Sequence, residues 1–216
     1  MRRDAAVNRD RLLAAGREVF ATRGLEATLN DVAHHAGVGV GTAYRHFANK
    51  DELIEAILVQ QAEEITAILG EALGDPDPWS GLVSYMERAL AVQVKDRGMA
   101  QIFSGRHSRP EKHDWIRDRT APLVNRVADR AREAGALREH VTGTDLIMLQ
   151  IAVVAIATTA QDGPVLEDRD DTEQLYRRYL AVALDGLRPP GKRVNALPVP
   201  PLTTEQLHRM LGSTHR

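Results

Sequence analysis

Residues 28–50 read TLNDVAHHAGVGVGTAYRHFANK, and the fold turns on how this stretch is read. Thr28 can cap a helix, with Asp31 three residues on in a capping-box-like arrangement. Leu29, Val32 and Ala33 form a short apolar stripe at helical spacing. Gly37 ends that helix, because glycine tolerates the left-handed backbone that a helix C-terminus often requires. The spacing predicts a second short helix from about Gly39 or Val40, carrying Thr42, Ala43, Tyr44, Arg45 and His46. Asn49 caps the next helix, with Glu52 at its third position. Two short helices about a glycine-containing turn form the helix-turn-helix pattern, whose second helix enters the DNA major groove.

Charge supports this reading once it is divided. The whole chain of 216 residues carries a formal net charge of -2. Residues 1–50 hold eight Lys/Arg (Arg2, Arg3, Arg9, Arg11, Arg17, Arg23, Arg45, Lys50) and five acids (Asp4, Asp10, Glu18, Glu26, Asp31), a net +3. The remainder is -5, so a modest basic field sits on the helix-turn-helix end. The hydrophobic fraction of 43% and charged fraction of 27% are those of an ordinary globular protein. Cys is absent, which excludes a disulfide framework, a thiolate metal site and a Cys nucleophile. No apolar run reaches the roughly 18 residues that span a bilayer. The start, MRRDAAVNRD, lacks the apolar core of a signal peptide, so a cytoplasmic location is expected.

Outward from the central stretch, residues 1–8 read as a basic arm, either a frayed end or a DNA-backbone contact. A helix is predicted over Arg9–Arg23, with Leu12, Leu13, Gly16, Val19 and Phe20 facing a core and Gly24 ending it. Phe20 is the expected centre of a three-helix core, with Leu25, Leu29, Val32, Val38, Tyr44 and Phe47 around it, Tyr44 being the one whose hydroxyl can instead reach outward. A longer helix runs from Lys50 to about Leu73 until GDPDP (Gly74–Pro78) breaks it. Further helices are predicted over Trp79–Lys95, Met99–Phe103, Asp114–Ala134 (with Pro122 kinking or dividing it), Leu146–Ala160 and Thr172–Leu187. Gly105–His113 is a polar loop. Thr142 and Asp145 form a second capping box, and Asp171 is the expected cap of the last main helix. Leu146–Ala160 is apolar nearly all round and should be buried on more than one side. From Arg188 the chain is Pro-rich, with a final helical turn capped by Thr203 or Thr204 and Gln206 near its third position. The fold expected is all-α, about nine helices, divided into a DNA-reading domain at 1–50 and a second domain at 51–216.

The run LLAAGREVFATRGLEATLNDVAHHAGVGVGTAYRHFANKDELIEAIL, within residues 9–58, resembles the TetR family of transcriptional regulators. That pattern is a helix ending Phe-x-x-x-Gly, then Thr, Val-Ala-x-x-Ala-Gly-Val, Thr-x-Tyr-x-x-Phe and Lys-x-x-Leu, and every element is present. The resemblance implies that Thr28, Tyr44, His46 and Lys50 hold DNA phosphates. It places Val40, Gly41 and Thr42 at the start of the recognition helix. Phosphate contacts set position and base-edge contacts set sequence. Thr28 also serves as a plain N-cap. Thr42 can bond a base or a phosphate, Val40 can pack on a thymine methyl, and Gly39 and Gly41 permit close approach of backbone to DNA. Arg45 either reads guanine in a bidentate manner or faces solvent or phosphate. His34 and His35 point about 100° apart and cannot chelate one metal together.

The resemblance further implies a homodimer joined by the last two long helices, about 146–160 and 172–187, on a near-palindromic DNA operator. Ala152, Ala155 and Ala157 would allow close packing there. It also implies a small-molecule effector in the C-terminal bundle. Candidate lining residues are Trp79, Tyr85, Met86, Met99, Phe103, Trp115 and Met148, each of which is equally a core residue by its spacing. Arg106 and His107 are candidates for the mouth. Scant polar lining suggests a largely apolar or aromatic effector. An enzyme built on loop 106–118 is the competing reading. Against it stand the absence of Cys, of His-Glu-x-x-His spacing and of a Gly-rich phosphate loop. His107 and His113 are six apart and make a poor metal pair, so no metal and no cofactor is expected. A bundle that has lost DNA contact would have eroded its recognition helix, yet Thr42, Tyr44, His46 and Lys50 are intact.

Overall fold

The structure is a computed structural model. It describes residues 2–95, 114–164, 166–191, 199–200, 203 and 206, without the side chains of residues 2–5, 25 and 114–117. The expected helix Met99–Phe103, the loop Gly105–His113 and the core role of Leu25 lie outside this set, as do the site candidates Met99, Phe103, Arg106, His107 and the Trp115 side chain. The described residues form eight α-helices: α1 (Arg2–Arg23), α2 (Leu29–His35), α3 (Val40–His46), α4 (Lys50–Gly74), α5 (Pro78–Lys95), α6 (Asp114–Glu133), α7 (Gly143–Asp162) and α8 (Leu175–Leu187). No strand occurs among the described residues.

The chain divides into two compact units, Met1–Thr66 with Lys95–Thr120, and Ala67–Val94 with Ala121–Arg216. In the first unit Leu12, Leu13, Val19 and Phe20 of α1 pack with Leu29, Val32 and Ala33 of α2, Ala43 of α3 and Phe47. Leu53, Ile57, Leu58 and Ala62 of α4 close this core. The packing boundary therefore falls inside α4 and not at its start, because the three small helices cannot bury their apolar faces alone. The added Cβ of an alanine at Gly16 would meet Ile57 Cδ1 at 2.9 Å, so α1 and α4 approach closely there. Residues 2–8 are the first turns of α1 and not a separate arm. Without Gly or Pro before Gly16, nothing interrupts the helix.

The second unit buries Ile68, Leu69 and Ala72 of α4, Leu82, Tyr85, Met86, Ala89 and Leu90 of α5, and Val124, Val127, Ala128 and Ala131 of α6. Leu146, Val153 and Ala157 of α7 and Leu175, Leu180 and Leu184 of α8 complete it. Asp77 caps α5, accepting from the Trp79 amide at 3.0 Å and the Ser80 hydroxyl at 2.9 Å. Gly81 packs so tightly that an added Cβ would lie 2.4 Å from the Ala72 carbonyl oxygen, so only glycine fits. Arg130 of α6 donates to the Ala72 carbonyl in the last turn of α4 and to the Asp75 carbonyl just past its end. α6 runs through Pro122 as one helix.

Several expectations need correction. α7 is 20 residues long, not 15, because the Thr142–Asp145 capping box starts it at Gly143. With a mean hydropathy of 1.6 it is long and apolar enough, by length and composition, to cross a bilayer. Only part of that apolarity is internal: Leu146, Val153, Ala157 and Ala160 are buried, whereas Met148, Ile151, Ala152 and Ala155 are exposed, so α7 is not buried on more than one side as expected. Ala157, at 4% exposure, accordingly faces the interior, unlike the exposed Ala152 and Ala155. Asp171 does not cap α8. Its carboxylate is gripped by Arg169 (Nε to Oδ1 2.5 Å, Nη2 to Oδ2 2.8 Å), and Thr172–Gln174 is a 3-10 turn ahead of α8.

The tail is anchored where it is described. Val199 is buried with Ala160 and Leu175, and Arg178 donates to its carbonyl at 2.7 Å. Thr203 and Gln206 exchange reciprocal bonds, Thr203 N to Gln206 Oε1 at 2.9 Å and Gln206 N to Thr203 Oγ1 at 3.1 Å.

Candidate functional site

The reader helix α3 is held from beneath and open above. Its two inward residues, Ala43 at 0% exposure and Phe47 just past its end at 3%, are four apart and sit in the first core. That spacing turns Gly41, Tyr44 and Arg45 outward, with Val40, Thr42 and His46 at the half-buried edges. The turn before it is closed by backbone bonds, Val38 N to Ala33 O at 3.0 Å and Gly37 N to His34 O at 3.2 Å. Gly37 takes a φ of +63°, which favours glycine. Gly39 has no capping side chain, but its carbonyl accepts from the amides of Thr42 (2.8 Å) and Ala43 (3.0 Å).

Each outward group has a defined state. Arg45 donates to the Thr42 hydroxyl at 2.9 Å, which lays the guanidinium along the exposed face of α3. Tyr44 is 49% exposed, the outward alternative of the two that the sequence allowed it. A Cβ at Gly41 would meet nothing within 4 Å among the described residues, so no packing there calls for glycine. Thr28 is doubly engaged, donating its hydroxyl to Asp31 Oδ2 at 2.6 Å and accepting from the Asp31 amide at 3.2 Å. The bonds from Thr28 hold the Asp31 carboxyl below the usual carboxylate range. Lys50 is the first residue of α4, a position where the helix dipole disfavours a cation. Around it Asn49 Oδ1 accepts from the Glu52 amide at 2.9 Å, while Glu52 Oε2 accepts from Ala48 N at 2.8 Å.

Two supports were not foreseen from sequence. Arg23, in the last turn of α1, reaches Asp31 Oδ1 at 3.2 Å and ties α1 to the capping box of α2. His35 Nε2 lies 2.6 Å from Glu18 Oε2, joining the same two helices. Arg23 and Asp31 stand eight apart, and Glu18 and His35 seventeen, so only the antiparallel packing of α1 and α2 brings them together.

The effector candidates separate. Tyr85 and Met86 are buried in the second unit, at 2% and 0% exposure. The Tyr85 hydroxyl donates to Gln150 Oε1 at 3.3 Å, and burial pushes the phenol up to about 12. Trp79 lines a groove of about 440 Å³ between α5 and α8, with the Arg188 guanidinium 4.6 Å from its ring centre. Met148 is 60% exposed and stands on the outer face of α7, not with the buried candidates. Among the described residues no cluster of His, Cys, Asp and Glu can hold a metal ion.

The profile described as "Bacterial regulatory proteins, tetR family" matches residues 12–57. That described as "Transcriptional regulator SbtR-like, C-terminal domain" matches residues 77–189, more than half of the chain. The chain belongs to the TetR family of transcriptional regulators. This TetR-family regulator is a DNA-binding protein with a helix-turn-helix reader, and not an enzyme. It is 43% identical over 193 residues to the transcriptional repressor KstR2 of Mycolicibacterium smegmatis, covering 84% of this chain and 91% of that one. To the regulator UidR of Escherichia coli it is 28% identical over 150 residues, covering 62% and 69%. A TetR regulator of Streptomyces coelicolor superposes with a TM-score of 0.62 at 27% identity, covering 85% and 99%. SmeT, the repressor of a Stenotrophomonas maltophilia multidrug efflux pump, has the same fold (TM-score 0.63, 22% identity, covering 90% and 97%).

Proposed function

We propose that this regulator is a homodimeric repressor that binds a near-palindromic operator and leaves it when a small, largely apolar effector occupies the second unit. It acts in the cytoplasm. The observation that carries the reading is the α3 surface, where Ala43 and Phe47 anchor the helix and Gly41, Tyr44 and Arg45 face out. In this reading Thr28, Tyr44, His46 and Lys50 hold phosphates, and Val40, Gly41, Thr42 and Arg45 meet base edges.

A single reader covers few base pairs, so two must be set about one helical turn of DNA apart or a multiple of it. The surface that supports a dimer is an apolar stripe on α7. Met148 (60% exposed) and Ile151 (42%) continue through the exposed Ala152 and Ala155, and Val182 of α8 is 49% exposed. These are i, i+3, i+4 and i+7 positions, the spacing of one helix face. Related repressors, KstR2 and SmeT among them, favour repression as the direction of control. An effector is favoured by the structure of SmeT with triclosan. Such an effector must bind the DNA-incompetent state more tightly, or the equilibrium does not move.

A gel-shift titration of the full chain against DNA flanking its own gene tests the reading. Sequence-dependent binding at nanomolar to sub-micromolar protein is expected, and binding equal on all DNA at low salt would sink it.

A further inference from the structure

Every buried side chain on α5, α6 and α7 in the second unit is apolar except for one pair, Tyr85 and Gln150. Gln150 is 5% exposed, and its Oε1 accepts the Tyr85 hydroxyl at 3.3 Å. Its Nε2 is buried and has no hydrogen-bond partner among the described residues. A buried amide NH₂ left without an acceptor carries a desolvation penalty that a methionine of similar volume avoids. Gln61 on α4 is buried as well, with neither amide atom bonded among the described residues, so no bond there fixes which way it faces. Gln150 differs because Tyr85 holds its oxygen and thereby aims its donors.

We propose that the Gln150 amide, oriented by Tyr85, is the polar anchor of the effector site, and that the effector carries a hydrogen-bond acceptor such as a carbonyl oxygen on an otherwise apolar body. This rests on the proposed effector reading and narrows its ligand class. Ligand sites are mostly apolar walls with a few placed polar groups, and a donor held in reserve among apolar side chains is such a group. The acceptor completes Gln150's bonding, so the bound state recovers what the free state forfeits. An all-hydrocarbon ligand leaves the amide orphaned and is discriminated against for that reason.

The test uses the full chain with acetophenone, which accepts and cannot donate, and isopropylbenzene, its hydrocarbon shape analogue. Dissociation constants for both are measured by calorimetry on wild type, Gln150→Met and Tyr85→Phe. Because isopropylbenzene is the more apolar, the readout is the ratio of the two affinities and how it changes between proteins. In Gln150→Met, acetophenone is expected to lose roughly threefold to tenfold relative to isopropylbenzene, the worth of one neutral hydrogen bond. Tyr85→Phe frees the amide to turn and is expected to cause a smaller loss in the same direction. Urea denaturation of the free proteins should show Gln150→Met at least as stable as wild type. An unchanged affinity ratio, no binding of acetophenone to wild type, or a Gln150→Met protein less stable than wild type would each overturn the anchor. Gel shifts in the same solutions separate this from the parent reading. Acetophenone that binds through Gln150 yet leaves the operator complex intact upholds the anchor and refutes effector-driven release.

Discussion

At the scale of single residues, Gly41 and Lys50 make the sharpest demands on the DNA-reading proposal. Glycine inside a helix costs about 1 kcal/mol relative to alanine. Gly41 lies in α3 with open space among the described residues where its Cβ would be, so no packing there calls for glycine at this position. Gly41→Ala is therefore expected to raise stability by about 1 kcal/mol in urea denaturation. If the α3 backbone approaches DNA here, the same variant weakens operator binding by roughly tenfold or more. A stabilised variant with undiminished binding would remove Gly41 from the interface. Lys50 starts α4 against the helix dipole, and a phosphate partner would offset that placement. Lys50→Ala should weaken binding about equally on every sequence and make the log–log salt slope shallower by about one unit. A slope equal to wild type would mean that Lys50 neutralises no phosphate.

At the scale of elements, three helices carry a carboxylate at their start. Asp31 in α2, Asp77 before α5 and Asp145 in α7 each accept hydrogen bonds at a helix N-terminus, and each is held below its ordinary value by those bonds. A carboxyl whose folded-state pKa is depressed contributes stability that is fully present above its unfolded value. That contribution is lost as pH falls through the folded value. Urea midpoints should thus be flat on the acid side down to about pH 5 and fall below about pH 4. Asp145→Asn keeps an acceptor but not the charge, so its acid decline should be shallower, and a decline matching wild type would show that this cap does not titrate with unfolding. These caps were legible in the sequence because a capping box is a local pattern, Thr-x-x-Asp at residues 28–31 and 142–145. Asp171 looked like a third such start. Arg169, only two residues away and itself nearly buried at 6% side-chain exposure, won the carboxylate instead. Most of the reader's core was legible for the same local reason, with Phe20, Leu29, Val32 and Phe47 all inside, whereas Ala43 was not read as part of it. The Arg23–Asp31 and Glu18–His35 links were not legible, since they depend on how α1 and α2 pack. Nor was the outward turn of Met148, because α7 is apolar on faces that serve different ends.

At the scale of the whole molecule, the question is why a chain with a formal net charge of -2 should hold DNA at all. A net +3 over residues 1–50 steers that end toward a polyanion, but the gain per reader is modest. In the proposed dimer, affinity comes from using two readers at once. Linking two weak binding events typically raises overall affinity by about a hundredfold to ten-thousandfold when the geometry allows both to engage. The exposed stripe on α7 is where that linkage would be made, since an apolar face left in water on a helix whose other face is buried has an unspent driving force for association. Ile151→Asp places a charge in the middle of the stripe without touching the buried Leu146, Gln150 or Val153. It is expected to leave helical circular dichroism unchanged while sedimentation equilibrium shifts from dimer toward monomer. Operator affinity should fall by roughly a hundredfold or more, with residual binding equal to that on an isolated half-site. Val182→Asp on α8 should act in the same direction, as both side chains are large exposed hydrophobics. Should Ile151→Asp remain a dimer with full operator affinity, the reader spacing would have to be set by another surface, and the α7 stripe would need a different partner.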